Sequence, residues 1–192
     1  MKRLLITGFD PFGGETVNPS WEAVSRLPEQ VGEYMLCKLQ IPTVFGAAAR
    51  RVLKEAADFH PDVIISVGQA AGRAAVTPER IAVNIRDARI PDNAGHRPVG
   101  EFVAQDGPAA YFSTLPVVEM ARAIEAHGIP AAVSNSAGAF VCNDVLYTLL
   151  NVYHETPVRV GFIHVPRIPE QGEPNLPLEK IVEALTAAIG AL

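Results

Sequence analysis

Short β-branched or apolar runs alternate along the chain with stretches of helical periodicity. Lys2–Thr7, Tyr34–Ile41, Asp62–Val67, Glu79–Ile85, Ala131–Ser134 and Val158–Ile163 read as strands. Five helices are predicted between and after them. Asn18-Pro19 opens the first, as an N-cap followed by Pro at the first helical position; the second runs from about Phe45 to Phe59 and stops before Pro61. Pro116–His127 is closed by Gly128. A fourth begins near Cys142, with Val145, Leu146, Leu149, Leu150 and Tyr153 on one stripe, and the last uses Leu178, Ile181, Val182, Leu185 and Ile189.

Helices separating most strands predict an α/β fold: a three-layer α/β/α sandwich around a mostly parallel, mixed, twisted sheet. Ligands in such sheets bind at loops beyond the carboxyl ends of the strands. The longest aperiodic segment, Arg86–Leu115, contains Pro91, Gly95, Pro98, Gly100, Gly107 and Pro108 and is long for a plain connection, so a lid or an oligomer contact is expected of it. No internal repeat or interdomain linker interrupts the pattern, and residues 1–192 are expected to form a single domain.

Composition narrows the function classes. Sixteen Lys and Arg against 21 Asp and Glu give a formal charge of −5, with no basic cluster able to neutralise a run of phosphates, so nucleic acid is not an expected partner. Met1–Gly8 opens with basic residues, but its apolar stretch stops short of the ~7–15 residues of a signal peptide. No apolar run approaches the ~18–20 residues that span a bilayer; no membrane association and a cytoplasmic location are expected. The two cysteines, Cys37 and Cys142, are then free thiols.

Cys142 lies where Ser134–Ala139, a small-residue loop after a strand, leads into a helix. The unpaired amides and positive dipole end at a helix start favour a thiolate and can hold an oxyanion. Asp144, in the same first turn, opposes that thiolate unless it points away. The plainer alternative is a buried cysteine acting as a small hydrophobe, and that alternative is preferred for Cys37, set between Met35 and Leu39 in alternating strand sequence. Among five histidines, His164 stands out as a base: it ends the strand Val158–Ile163 and is followed by Val165-Pro166. Glu79 shares the alternation phase of Ile81, Val83 and Ile85, which puts a carboxylate on an apolar face where it needs a partner such as an imidazole; an exposed rim position after Pro78 is the alternative. The loop Gly8–Thr16 lacks the Lys and Ser/Thr of a phosphate loop, and its two phenylalanines, Phe9 and Phe12, read as walls of a small apolar pocket.

Four separated stretches carry a resemblance: Gly8–Gly14, Gly68–Asn84 around Thr77-Pro78-Glu79-Arg80, Ser134–Cys142, and Gly161–Pro166. Together, and in this order, they resemble the pyrrolidone-carboxylate peptidase (pyroglutamyl peptidase type I) family essentially end to end. The resemblance implies a cysteine peptidase that removes N-terminal pyroglutamate (5-oxoproline) from peptides through a thioester, with no metal or organic cofactor. It implies Cys142 as nucleophile, His164 as general base and then acid, Glu79 as the residue orienting His164, and Arg89 as an aid to the oxyanion. It further implies Phe9, Phe12, Thr43, Ile90, Phe140, Val141 and Val145 as pocket walls, Asn18 and Gln69 as polar contacts, and a homo-oligomer, a tetramer, as the assembly. Two other classes fit the residues: a glutamine amidotransferase-type thiol hydrolase, although Phe140–Asp144 lacks the glycines that usually bracket its cysteine, and a non-catalytic small-ligand-binding module.

Overall fold

The structure is a computed structural model describing residues 1–192. A six-stranded sheet has the order β2-β3-β1-β4-β8-β5. Its four central strands, β3 (Tyr34–Ile41), β1 (Lys2–Phe9), β4 (Val63–Gln69) and β8 (Arg159–Val165), are mutually parallel. Two short strands, β2 (Gln30–Val31) and β5 (Thr77–Pro78), close the edges in antiparallel sense. A separate antiparallel ribbon pairs β6 (Ile81–Val83) with β7 (Ala110–Phe112).

The period-two alternation of the central strands builds the layers. Leu4 and Ile6 of β1, Val63, Ile65 and Val67 of β4, and Ile163 and Val165 of β8 face one core, which α1 (Pro19–Arg26), α3 (Val117–Ala126) and α5 (Leu178–Gly190) cover. Leu5, Ile64, Val160 and Phe162 face the other, beneath α2 (Ala47–Phe59) and α4 (Val141–Tyr153). Strands buried on both faces read as near-continuous apolar runs, and that is how the sequence presents them. Asn18 caps α1 as expected: its side-chain oxygen accepts from the Ser20 N–H at 3.1 Å, and Pro19 follows.

Two of the six predicted strands differ. Glu79–Ile85 is not one strand. Glu79 still donates its N–H to Phe162 O of the main sheet, but the pairing changes at Arg80, whose N–H donates to Ser134 O and whose carbonyl accepts from Ser113 N, and Ile81–Val83 forms its strand in the β6/β7 ribbon. The buried phase shifts across that change of partner: Ile81, Val83 and Ile85 are half-buried while Ala82 and Asn84 are buried. Glu79 is buried for another reason, its place between Phe162 and Ser134 at the sheet edge. Ala131–Ser134 does run parallel to Val76–Arg80, but as two isolated bridges, Val76 with Ala131 and Glu79 with Ser134. Bonds on either side are formed, Ala132 N to Val76 O and Ser134 N to Pro78 O. The missing rung is the one Pro78 would donate to Ala132 O, and proline has no N–H.

The segment Arg86–Leu115 holds β7 and is stitched down: Arg86 and Glu101 exchange backbone hydrogen bonds, and Ala88 N donates to Pro98 O. No helix is long and apolar enough to cross a membrane.

Candidate active site

The carboxyl ends of β1, β3, β4 and β8 converge on one cavity of about 600 Å³, as the open-sheet rule requires. Phe9 ends β1, Thr43 follows β3, Gln69 ends β4 and His164 is the penultimate residue of β8; all line the cavity. Cys142, in the first turn of α4, faces it from above, together with Phe12, Asn18, Arg73, Arg89, Ser136 and Phe140.

His164 is 4% exposed, and its Nδ1 lies 2.7 Å from Oε1 of Glu79, which is 0% exposed. With Glu79 ionised, Nδ1 donates and Nε2 is left as an acceptor. Gly68 of β4 is the register partner of His164 on β8, and a Cβ on Gly68 would stand 2.9 Å from Cys142 Sγ. Cys142 and the His164 strand thus meet across a residue that has no side chain. The Oε1 atom of Glu79 also accepts from Arg73 Nη1 at 2.5 Å, and the same nitrogen donates to Thr77 Oγ1 at 2.5 Å. The other guanidinium nitrogen, Nη2, donates to Ser136 O at 2.8 Å.

These neighbours set the protonation of the site. Burial pushes the Cys142 thiol up to about 12; the Glu79 charge acts in the same direction, while Arg73 and the backbone N–H of Cys142 itself oppose it. Burial holds His164 below the ordinary imidazole range against the upward pull of Glu79. For Glu79, burial is the largest influence and raises it, but the hydrogen bond and charge of His164, joined by Arg73, outweigh that and hold it below the usual carboxylate range. Burial and the Glu79 charge therefore oppose the thiolate that the helix start favours. Both directions favour the neutral thiol and neutral imidazole over a thiolate–imidazolium pair, with Cys142 itself half-buried at the cavity and His164 backed by a carboxylate. Asp144 is no threat to the thiol: it turns away to accept from Arg86 Nε at 2.6 Å and Gly46 N at 2.7 Å.

Residues 2–192 match the family model described as pyroglutamyl peptidase. The pyrrolidone-carboxylate peptidase of Bacillus licheniformis is 55% identical, with 100% of this chain and 93% of the relative covered. That of Levilactobacillus brevis is 51% identical over 99% of this chain and 97% of its own. The crystal structure of Bacillus amyloliquefaciens pyroglutamyl peptidase I superposes with a TM-score of 0.95 at 49% identity, covering 100% of this chain and 96% of that one. The pyrrolidone carboxyl peptidase of Thermococcus litoralis does so with a TM-score of 0.95 at 37% identity, covering 100% and 93%. The chain belongs to the pyroglutamyl peptidase family.

Most residues expected at a family member's site converge, and some do not. Phe9, Phe12, Asn18, Thr43, Gln69, Arg89 and Phe140 line the cavity with Cys142 and His164, and Glu79 lies behind His164. Val141 and Val145 do not: both are fully buried in the core under α4, since their i, i+4 spacing puts them on the sheet-facing side. Ile90 is 46% exposed and lies outside the cavity lining, with its Cδ1 near Gly13.

Asn18 is more committed than a free polar contact. Its Oδ1 accepts from both Ser20 N and Ser20 Oγ, and its Nδ2 donates to Asp10 O, leaving one N–H for a ligand. Gln69 is the reverse: Nε2 reaches Gln171 Oε1 at 3.4 Å, and its buried Oε1 has no partner. Phe45 was not anticipated; its ring meets Phe140 edge-on at 5.2 Å and props the wall that Phe12 also touches. Arg73 was missed as well. It sits in a loop of small residues and looks like a solvated charge, but a buried Glu79 requires a countercharge, and Arg73 is the cation six residues before it. No group of three His, Cys, Asp or Glu side chains converges on a point that could hold a metal ion.

Proposed function

We propose that this chain hydrolyses the amide bond after an N-terminal pyroglutamyl residue of peptides, with Cys142 as nucleophile, His164 as general base and then acid, and Glu79 holding His164. The observation that carries the assignment is the buried 2.7 Å contact of Glu79 with His164 Nδ1 behind a cavity that His164 shares with Cys142. As the substrate carbonyl approaches, His164 Nε2 takes the thiol proton while sulfur bonds to carbon, and Glu79 stabilises the imidazolium that forms. The free N–H groups at the start of α4 receive the oxyanion, and Arg89 at the cavity wall adds charge. Collapse of the tetrahedral adduct breaks the C–N bond as His164 protonates the departing amine. A water deprotonated by His164 then attacks the thioester, releasing pyroglutamate and restoring the thiol.

The lactam ring is neutral and mostly apolar, which fits walls of Phe9, Phe12 and Phe140 with a few polar groups. Gln69 Oε1, buried and unpartnered, is an acceptor for the lactam N–H; the remaining N–H of Asn18 is a donor for the lactam oxygen. Release of a fluorophore from a pyroglutamyl amide under reducing conditions tests the assignment. Cys142→Ala is expected to abolish it, and a prolyl amide, which lacks the ring carbonyl, is expected to be a poor substrate. A full rate in Cys142→Ala would refute the assignment, and equal rates on the two amides would refute the pocket.

Residues 1–192 are proposed to fold as one domain, since both cores lie on the faces of one sheet. A cytoplasmic homo-oligomer, a tetramer, is proposed from the family resemblance, and exposed Val99, Phe102 and Phe112 are available to a subunit contact. Sedimentation at micromolar concentration distinguishes it from a monomer.

A further inference from the structure

We propose that Arg73 is a positioning residue for this reaction: its guanidinium fixes Glu79 behind His164 and ties that pair to the loop that delivers Cys142. The inference rests on the assignment of Cys142, His164 and Glu79 given above. Its support is geometric. Arg73 is anchored in the turn after β4, where its N–H donates to Ala70 O at 3.0 Å and Ala70 N donates to Val165 O of β8 at 2.9 Å. From there Nη1 reaches Thr77 of β5 and Glu79, and Nη2 reaches Ser136 O, six residues before Cys142. One planar group therefore joins the stretch that carries Glu79 to the loop that delivers Cys142, while its backbone is tied through Ala70 to the strand of His164, in a fork that a lysine ammonium cannot reproduce.

Arg73 also balances charge. Glu79 is completely buried, and the guanidinium, 30% exposed at the cavity, is its only fixed counterion. The charged or titratable groups facing the reacting pair are Arg73, Arg89 and Glu79; Asp10 is turned to Thr43 N and Asn93, and Asp144 to Arg86 and Gly46. Arg73 lowers both the Cys142 thiol and the His164 imidazole, so its loss raises both. A raised imidazole remains protonated to higher pH and cannot act as base; a raised thiol is harder to deprotonate.

The test compares wild type, Arg73→Met and Arg73→Lys by pH profiles of kcat/KM on a pyroglutamyl amide and by the pH dependence of iodoacetamide alkylation of Cys142. Arg73→Met is expected to lose kcat by about 10- to 100-fold with a smaller change in KM. Its acid limb is expected to move up by about one pH unit, with slower alkylation at every pH. Arg73→Lys keeps the charge and loses the fork, so its limb stays near the wild-type position while kcat remains reduced. Wild-type kcat in Arg73→Met overturns the proposal, and so does a reduced kcat with unmoved limb and unmoved alkylation, which is the behaviour of a structural brace. If Arg73→Met does not fold, Arg73→Lys decides, because a wild-type kcat there overturns the fork. Failure of the wild-type protein to cleave pyroglutamyl amides would instead strike the assignment of the reaction, and the alkylation profiles would still read the effect of Arg73 on Cys142.

Discussion

Gly68 is the position where one added carbon tests the whole site. A Cβ there would lie 2.8 Å from Phe162 Cζ, 3.0 Å from Phe162 Cε1 and 2.9 Å from Cys142 Sγ. Comfortable carbon contacts begin near 3.5 Å, so the sulfur or the ring must retreat by roughly 0.6 Å. Phe162 is buried with its ring against Phe9 and His164, and Cys142 is rooted in the first turn of α4, so neither yields freely. Overpacking of this kind costs about 1–3 kcal/mol, and in a chain of this size each kcal/mol lowers Tm by roughly 2–4 °C. A sub-ångström displacement of the nucleophile is expected to lower kcat of Gly68→Ala about 10- to 100-fold. Two other glycines separate stability from chemistry. On Gly161 of the same strand as His164, a Cβ would overlap Leu115 and meet Ser113 Oγ at 2.8 Å, on the sheet face away from Cys142. Gly161→Ala is expected to lose at least as much Tm with kcat per folded molecule near wild type. Gly190 has open space around it, and Gly190→Ala is expected to change neither. Thermal unfolding by circular dichroism and active-site-titrated kinetics measure both quantities. A wild-type kcat in Gly68→Ala, or an equal kcat loss in Gly161→Ala, would refute the reasoning.

The buried ion pair beside the site and the acid response of the fold provide two more checks. Asp144→Ala strands the Arg86 guanidinium and the Gly46 N–H, so it is expected to cost about 3–5 kcal/mol, read by urea unfolding; a loss under 1 kcal/mol contradicts the pairing. His164 and Glu79 are both held below their ordinary values of about 6.5 and 4.3, so the unfolded chain binds more protons than the folded one as pH falls. Stability is fully present above about pH 6.5, where His164 is neutral in both states, and is lost progressively below it, first through His164 and then through the carboxylate range. Tm is therefore expected to fall more steeply between about pH 6.5 and 5 in wild type than in His164→Gln, and equal slopes would contradict the buried neutral imidazole.

Much of this was legible in the chain because it depends on local periodicity. The apolar core of Lys2–Thr7 reads as a strand covered on both faces and the alternation of Tyr34–Ile41 as one covered mainly on one, and the Asn18-Pro19 cap and the helix start at Cys142 follow from backbone groups that must be satisfied nearby. The motifs around Cys142, His164 and Glu79 were likewise visible as unusual residues at element ends. Long-range geometry was not. The alternation put Glu79 on the apolar face of one strand over Glu79–Ile85; packing buried it by a different route, with Pro78 removing one rung and the pairing changing partner at Arg80. Val141 and Val145 went to the core because a helix has one buried face, whichever residues the site would want. The raised Cys142 thiol is the clearest case. Helix-start chemistry, which local sequence shows, favours a thiolate, but desolvation depends on everything packed around the sulfur, and that sum exists only once β4, β8 and α4 have met. Arg73 belongs to the same class: a charge in a small-residue loop becomes a tie between two segments only when the sheet brings Thr77 and Glu79 on one side and Ser136 on the other within reach of one guanidinium.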